Sequence, residues 1–167
     1  MGELIRDFFL DFVGEELCVF FCSMLPIIEL RGAIPMAFAF GLPWWQGYII
    51  SMLGNMIPVP FILLLINVVI KWMAASKVGF FNKFASFLLA KVEKNRAKIE
   101  KFSFWGLCLF VAIPLPATGA WTGSLVAAVI GMTPWKAFLS ALLGVMIAGI
   151  VVSLIVYGGI GFLAWLI

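Results

Sequence analysis

Met24-Leu-Pro-Ile-Ile-Glu-Leu-Arg-Gly-Ala-Ile-Pro35 places a carboxylate and a guanidinium, Glu29 and Arg31, two residues apart among apolar neighbours. On the N-terminal side, Leu17 to Ile28 is a 12-residue run without formal charge; on the C-terminal side, Gly32 to Ile70 is another of 39. An ionisable group at membrane depth costs about 3 kcal/mol on insertion scales, so such a pair is read first as functional. Pro26 and Pro35 bracket it, and each removes a backbone donor. An unbroken helix through Glu29 is therefore disfavoured.

The rest of the chain supplies the membrane. Its 167 residues are 65% hydrophobic and 11% charged, against about 45–50% and about 25% in soluble domains. Three charge-free stretches, Gly32 to Ile70, Phe102 to Trp135 and Ala137 to Ile167, exceed the roughly 20 residues that cross a bilayer as a helix. The class is an all-α integral membrane protein. The start is acidic (Glu3, Asp7, Asp11, Glu15 and Glu16 against Arg6), so a cleaved leader is not expected. The formal charge of +3 is segregated and encodes topology, with no nucleic-acid partner implied.

With no histidine and three cysteines, a zinc site or histidine-dependent chemistry is disfavoured, and neither a metal nor a cofactor is expected. Cys18 and Cys22, one helical turn apart, and Cys108 read as packed thiols ahead of a redox or metal role. A membrane enzyme would need an acid/base or nucleophile set, which one intramembrane carboxylate does not provide.

Residues 1–16 carry Leu4, Ile5, Phe8, Phe9, Phe12 and Val13 at helical spacing opposite Glu3, Asp7, Asp11 and Glu15. This is an amphipathic interfacial helix, or a leading extension of the next helix. Residues 17–70 form the first of two copies. Leu17 to Ile28 and Gly32 to Gly41 are each too short to cross and fit a re-entrant hairpin, with a single kinked crossing as the alternative. Gly41-Leu-Pro-Trp-Trp45 is an interfacial turn, and Gln46 to Ile70 a full crossing kinked near Pro58 and Pro60. Within it Asn55 lies near mid-depth, as a pathway-lining residue or as interhelical glue.

Residues 71–101 are the composition break, with Lys71, Lys77, Lys83, Lys91, Lys94, Arg96, Lys98 and Lys101 against Glu93 and Glu100. They read as a basic, amphipathic cytoplasmic connector on anionic lipid. Residues 102–167 then repeat the first copy. An apolar run to Ile113 meets a break, Pro114-Leu-Pro-Ala-Thr-Gly-Ala-Trp-Thr-Gly123, then a return to Gly131 and a crossing from Lys136 to Tyr157. Arg31-Gly32 over Thr122-Gly123 and Pro43-Trp44 over Pro134-Trp135 share an offset of 91, with a slip of one placing Gly54 on Gly144. With a cytoplasmic connector the two hairpins enter from opposite faces, giving an inverted-topology repeat whose breaks meet near the midplane.

At Glu29-Leu-Arg-Gly-Ala-Ile-Pro35 and at Pro114 to Gly123 the chain resembles the small multidrug export protein family, distantly related to the DedA and VTT membrane proteins. The resemblance covers essentially the whole chain and implies a multi-pass protein of the prokaryotic inner membrane with two facing re-entrant hairpins. For the wider superfamily it implies proton-dependent transport and flipping of lipids, including polyprenyl phosphates. DedA proteins carry further arginine in the second half, and the break from Pro114 to Gly123 has none.

The expected pathway residues are Glu29, Arg31, Asn55, Thr118, Thr122 and Trp121, with hairpin breaks at Pro26, Gly32, Pro35, Pro114, Pro116, Gly119 and Gly123. Desolvation and the Arg31 charge act on the Glu29 carboxyl in opposite senses, which suits a proton carrier; a structural ion pair accounts for the same residues. Arg31 offers a planar fork to phosphate or carboxylate. Free amides near Gly119 fit an anion nest, whereas the Gly119–Gly123 spacing equally fits close helix packing. Trp121 is a candidate gate or stacking surface. The functional expectation is a proton-coupled carrier or flippase of an amphiphilic substrate such as a lipid phosphate. The alternatives are an exporter of hydrophobic cationic drugs, or a membrane scaffold without transport. Membrane lipids are the expected partners, and a homodimer would enlarge a pathway that so small a chain encloses poorly.

Overall fold

The computed structural model describes residues 14–75, 103–113 and 119–159, with backbone alone at 67, 70, 71 and 73–75. The expected N-terminal amphipathic helix before residue 14, most of the connector, and Pro114, Pro116 and Thr118 lie outside the described residues. All regular structure among the described residues is helical: α1 (14–24), α2 (Glu29–Ala39), α3 (Trp44–Met56), α4 (Pro58–Ala75), α5 (Ser103–Ala112), α6 (Ala120–Val129) and α7 (Pro134–Ser153). The last winds into a π-helical turn, Leu154–Gly159.

The breaks follow the prolines unevenly. α1 stops just before Leu25-Pro26, as expected of the residue preceding a proline. Pro35, expected to mark a break, instead lies inside α2; it only lacks an N–H for the Arg31 carbonyl one turn back. The long helix is interrupted at Ile57, ahead of Pro58, which opens α4. α4 then continues five residues past Ile70, to Ala75.

The two copies share a helix terminator. In the first, Phe40, Gly41 and Leu42 donate to the carbonyls of Met36, Phe38 and Ala37; in the second, Ile130, Gly131 and Met132 donate to Val126, Ala128 and Ala127. Gly41 and Gly131 adopt φ of 78° and 73°, the left-handed residue of a Schellman motif. The offset across this turn is 90, so Trp45 matches Trp135 and Cys18 matches Cys108; the sequence alignment at 91 is off by one here. A Cβ on Gly41 would meet nothing within 4 Å, so Gly41→Ala tests conformation alone. It is expected to cost about 1–2 kcal/mol, with Gly41→Asn costing less, measured by thermal unfolding in detergent.

Two compact units emerge. One combines α1, α2 and α3 with the chain from Val145 onward. In it Val19, Ala33, Ala37 and Leu42 form a core, Gly54 lies beneath the Phe20 carbonyl and Ser23, and Gly149 seats the Tyr48 ring. Tyr157 packs edge-on to Phe38 and its hydroxyl donates to the Leu42 carbonyl at 3.0 Å. The other unit is Pro58–Gly144. There α4 packs on α6, Gly123 seats Val111 and Gly144 lies against the Cys108 carbonyl. Ser140 Oγ donates to the Phe104 carbonyl at 2.5 Å.

Polarity runs inside out. Ser23, Ser51, Ser124 and Ser140 are fully buried, whereas Phe61, Trp135 and Leu154 are each more than 65% exposed. Two segments, Trp44–Ile66 and Pro134–Gly159, are long and apolar enough to span a bilayer. Apolar exteriors on such helices, over small and hydroxylated interiors, are those of a membrane protein.

Candidate functional site

The local chain dictates the position of Glu29. After α1 the backbone closes a tight turn, with Ile28 N–H and Glu29 N–H both donating to the Leu25 carbonyl at 3.2 and 2.9 Å. Closing that turn puts Glu29 at φ 49°, and it is the one non-glycine residue with positive φ among the described residues. For an L-residue this costs about 1–2 kcal/mol. Such strain persists where surrounding structure fixes it, and it clusters at functional sites.

Glu29 is also the first residue of α2 and only 8% exposed. No side chain caps that helix end; a carboxylate in the first turn is favoured there by the helix dipole. Arg31, half-buried, sits on the same first turn, and the two charges act on one another. Gly32 completes the tip, since a Cβ there would fall 2.6 Å from Ile28 Cγ2.

Asn55 lies on α3, the helix that packs on α2. The two helices run antiparallel from the Gly41 turn, and Ala37 Cβ lies 2.7 Å from the Cβ position of Gly47. Eight residues further from the turn on each helix are Glu29 and Asn55, which are therefore level. Asn55 is 2% exposed and its Oδ1 has no hydrogen-bond partner. It lies within one turn of the C-terminal end of α3, inside the apolar segment Trp44–Ile66.

In the other unit, Trp121 and Thr122 are half-buried on the first turn of α6. Gly119 is extended, and Gly123 serves close packing against α5. The structure thus places Glu29 and Arg31 on the first turn of α2, Asn55 on the neighbouring α3, and Trp121 with Thr122 on the first turn of α6; Thr118 lies outside the described residues. Cys18, Cys22 and Cys108 are free thiols, and among the described residues no group of His, Cys, Asp and Glu is placed to hold a metal ion.

Sequence reasoning missed two residues of the first unit. Ser51 and Ser153 are buried, and neither hydroxyl has a partner. The one available signal was the spacing of Ser51 and Asn55, four residues apart on one helix face.

No curated protein and no solved structure matches the chain. The family model described as "Putative small multi-drug export protein" matches residues 29–151, beginning at the strained Glu29 and ending within α7. That match covers well over half of the sequence and contains α2, α6 and both long apolar segments up to residue 151, so the chain belongs to the small multi-drug export protein family.

Proposed function

We propose that the protein is a carrier of the prokaryotic inner membrane that moves an amphiphilic substrate past the α1–α2 turn, using Glu29 as its protonatable group. The observation that carries this reading is Glu29 itself: a buried carboxylate on strained backbone at the turn between two apolar helices. A group so placed is costly in both respects, and neither cost serves helix packing. The family's name, an exporter's, agrees with transport and points away from an enzyme.

The two hairpins enter from opposite faces, with the connector in the cytoplasm and Thr118, Thr122 and Trp121 lining the second half of the pathway. Arg31 favours an anionic head group such as the phosphate of a polyprenyl lipid, since a guanidinium pairs with phosphate through two parallel hydrogen bonds. The second reading, export of hydrophobic cations, is favoured by the family's name and would place the Glu29 carboxylate against the cargo.

Purified protein in liposomes with an imposed pH gradient separates these. Gradient-dependent movement of a fluorescent polyprenyl phosphate is expected, with little movement of a hydrophobic cationic dye. Movement of the dye alone would install the exporter reading. Movement of neither, by folded protein, would leave a scaffold.

A further inference from the structure

The buried serines divide into two classes. Ser23, Ser124 and Ser140 each donate to a backbone carbonyl, those of Phe20, Ala120 and Phe104. This is the ordinary way in which a hydroxyl in an apolar helix is satisfied. Ser51 Oγ, Ser153 Oγ and Asn55 Oδ1 are equally buried and have no partner. All three belong to the unit that holds Glu29.

The internal repeat shows that the fold does not require them. At the offset of 90 set by the Gly41 and Gly131 turns, Ser51, Asn55 and Ser153 correspond to Ala141, Val145 and Leu63. Each counterpart is apolar and no more than 1% exposed. The same three positions are thus packed dry in one copy and lined with oxygen in the other. An unsatisfied buried oxygen costs about 1–3 kcal/mol, so three together call for an occupant.

Two of these oxygens are placed to share one. Ser51 and Asn55 stand four residues apart on one face of α3. Ser153 stands nearer the start of α3, since Tyr48 seats on Gly149 one turn before it and Tyr157 reaches Gly47 and Leu42 one turn after it. Just beyond Asn55 the helix is interrupted at Ile57, and Pro60 has no N–H to give the Met56 carbonyl.

We infer that Ser51 Oγ and Asn55 Oδ1 form part of a binding site for a monovalent alkali cation, sodium first, beside an interrupted helix. Neutral hydroxyl, amide and carbonyl oxygens are the donors that hard cations take. A divalent ion would want carboxylates in the set, and neither side chain is one. The inference goes beyond the carrier reading and does not need it, because binding to the resting protein can be measured without transport.

The test compares thermal unfolding in detergent with NaCl, KCl or choline chloride at equal ionic strength, together with radioactive sodium binding. At about ten times the dissociation constant, sodium is expected to raise the wild-type Tm by about 3–5 °C over choline. Ser51→Ala with Asn55→Val writes the second copy's residues into the first; it is expected to fold, to abolish the sodium shift, and to bind no radioactive sodium. A wild-type protein that answers sodium and potassium no more than choline holds water at most, and overturns the inference. A double variant that keeps the sodium response overturns it equally.

Discussion

Glu29→Gln is expected to slow gradient-driven transport in liposomes by about 100-fold or more while leaving the helical content unchanged. A loss of that size corresponds to roughly 2.7 kcal/mol on the limiting barrier. The substitution keeps the size and hydrogen-bonding reach of the side chain but removes its exchangeable charge, so a purely steric role would survive it. Glu29→Gly separates carboxylate from backbone. At φ 49° glycine relieves about 1–2 kcal/mol of strain, so this variant is expected to transport no better than Glu29→Gln, with its lost packing offset by the relaxed backbone. Stability kept while function is lost is the pattern of a site that stores strain for use. The competing reading, a structural pair with Arg31, makes the opposite forecast. If the pair only holds the tip together, Glu29→Gln with Arg31→Gln should recover what each single change loses, because the uncompensated partner disappears. A carrier gains nothing from the second change, and recovery to near wild-type rates in the double variant would sink the assignment of Glu29.

The α1–α2 break could be anticipated from Leu25-Pro26, because the residue before a proline is driven from helical backbone. Pro35 misled for the converse reason: inside a helix it forfeits one hydrogen bond and need not end the element, and α2 runs through it. The matching turns at Gly41 and Gly131 were visible in their Pro-Trp dipeptides but off by one. Trp44 and Trp45 offer two partners for Trp135, and the first copy reaches its tryptophan one residue sooner after the turn glycine. Register is set by the left-handed glycine and its three reciprocal hydrogen bonds, so aligning Gly41 with Gly131 would have found 90 directly. Among site residues, Glu29 and Asn55 were legible as polar groups in apolar runs. The left-handed backbone of Glu29 was not, since glycine or asparagine is the residue expected there. Ser51 and Ser153 were illegible for another reason. A serine in an apolar helix normally bonds its own backbone, and only packing reveals that these two do not.

Gly54→Ala is expected to be the most destabilising single-methyl change in the first copy, lowering stability by about 3 kcal/mol or more and Tm by roughly 6–12 °C. The new Cβ would collide with the carbonyl oxygen of Phe20 and with Ser23 Oγ. One of these is backbone and cannot rotate away, so α1 would have to lift from α3 and carry the hairpin tip with it. Ser23→Ala added to Gly54→Ala is therefore expected to rescue little. Gly144, matched at the offset of 90, makes the same close approach in the second copy, its Cβ position lying 2.7 Å from the Cys108 carbonyl oxygen. Gly144→Ala should cost a similar amount. Gly106 is the control: it lies within α5, and a Cβ there would meet nothing within 4 Å. Gly106→Ala should stabilise by about 0.8–1.0 kcal/mol through helix propensity alone. Opposite signs from three identical chemical changes, read by thermal unfolding in detergent, would tie the cost to the crossings of α1 on α3 and of α5 on α7. If Gly54→Ala were as well tolerated as Gly106→Ala, α1 would not be held against α3 at that point. The packing of α1 on α3, and with it the position of the turn that bears Glu29, would then have to be withdrawn.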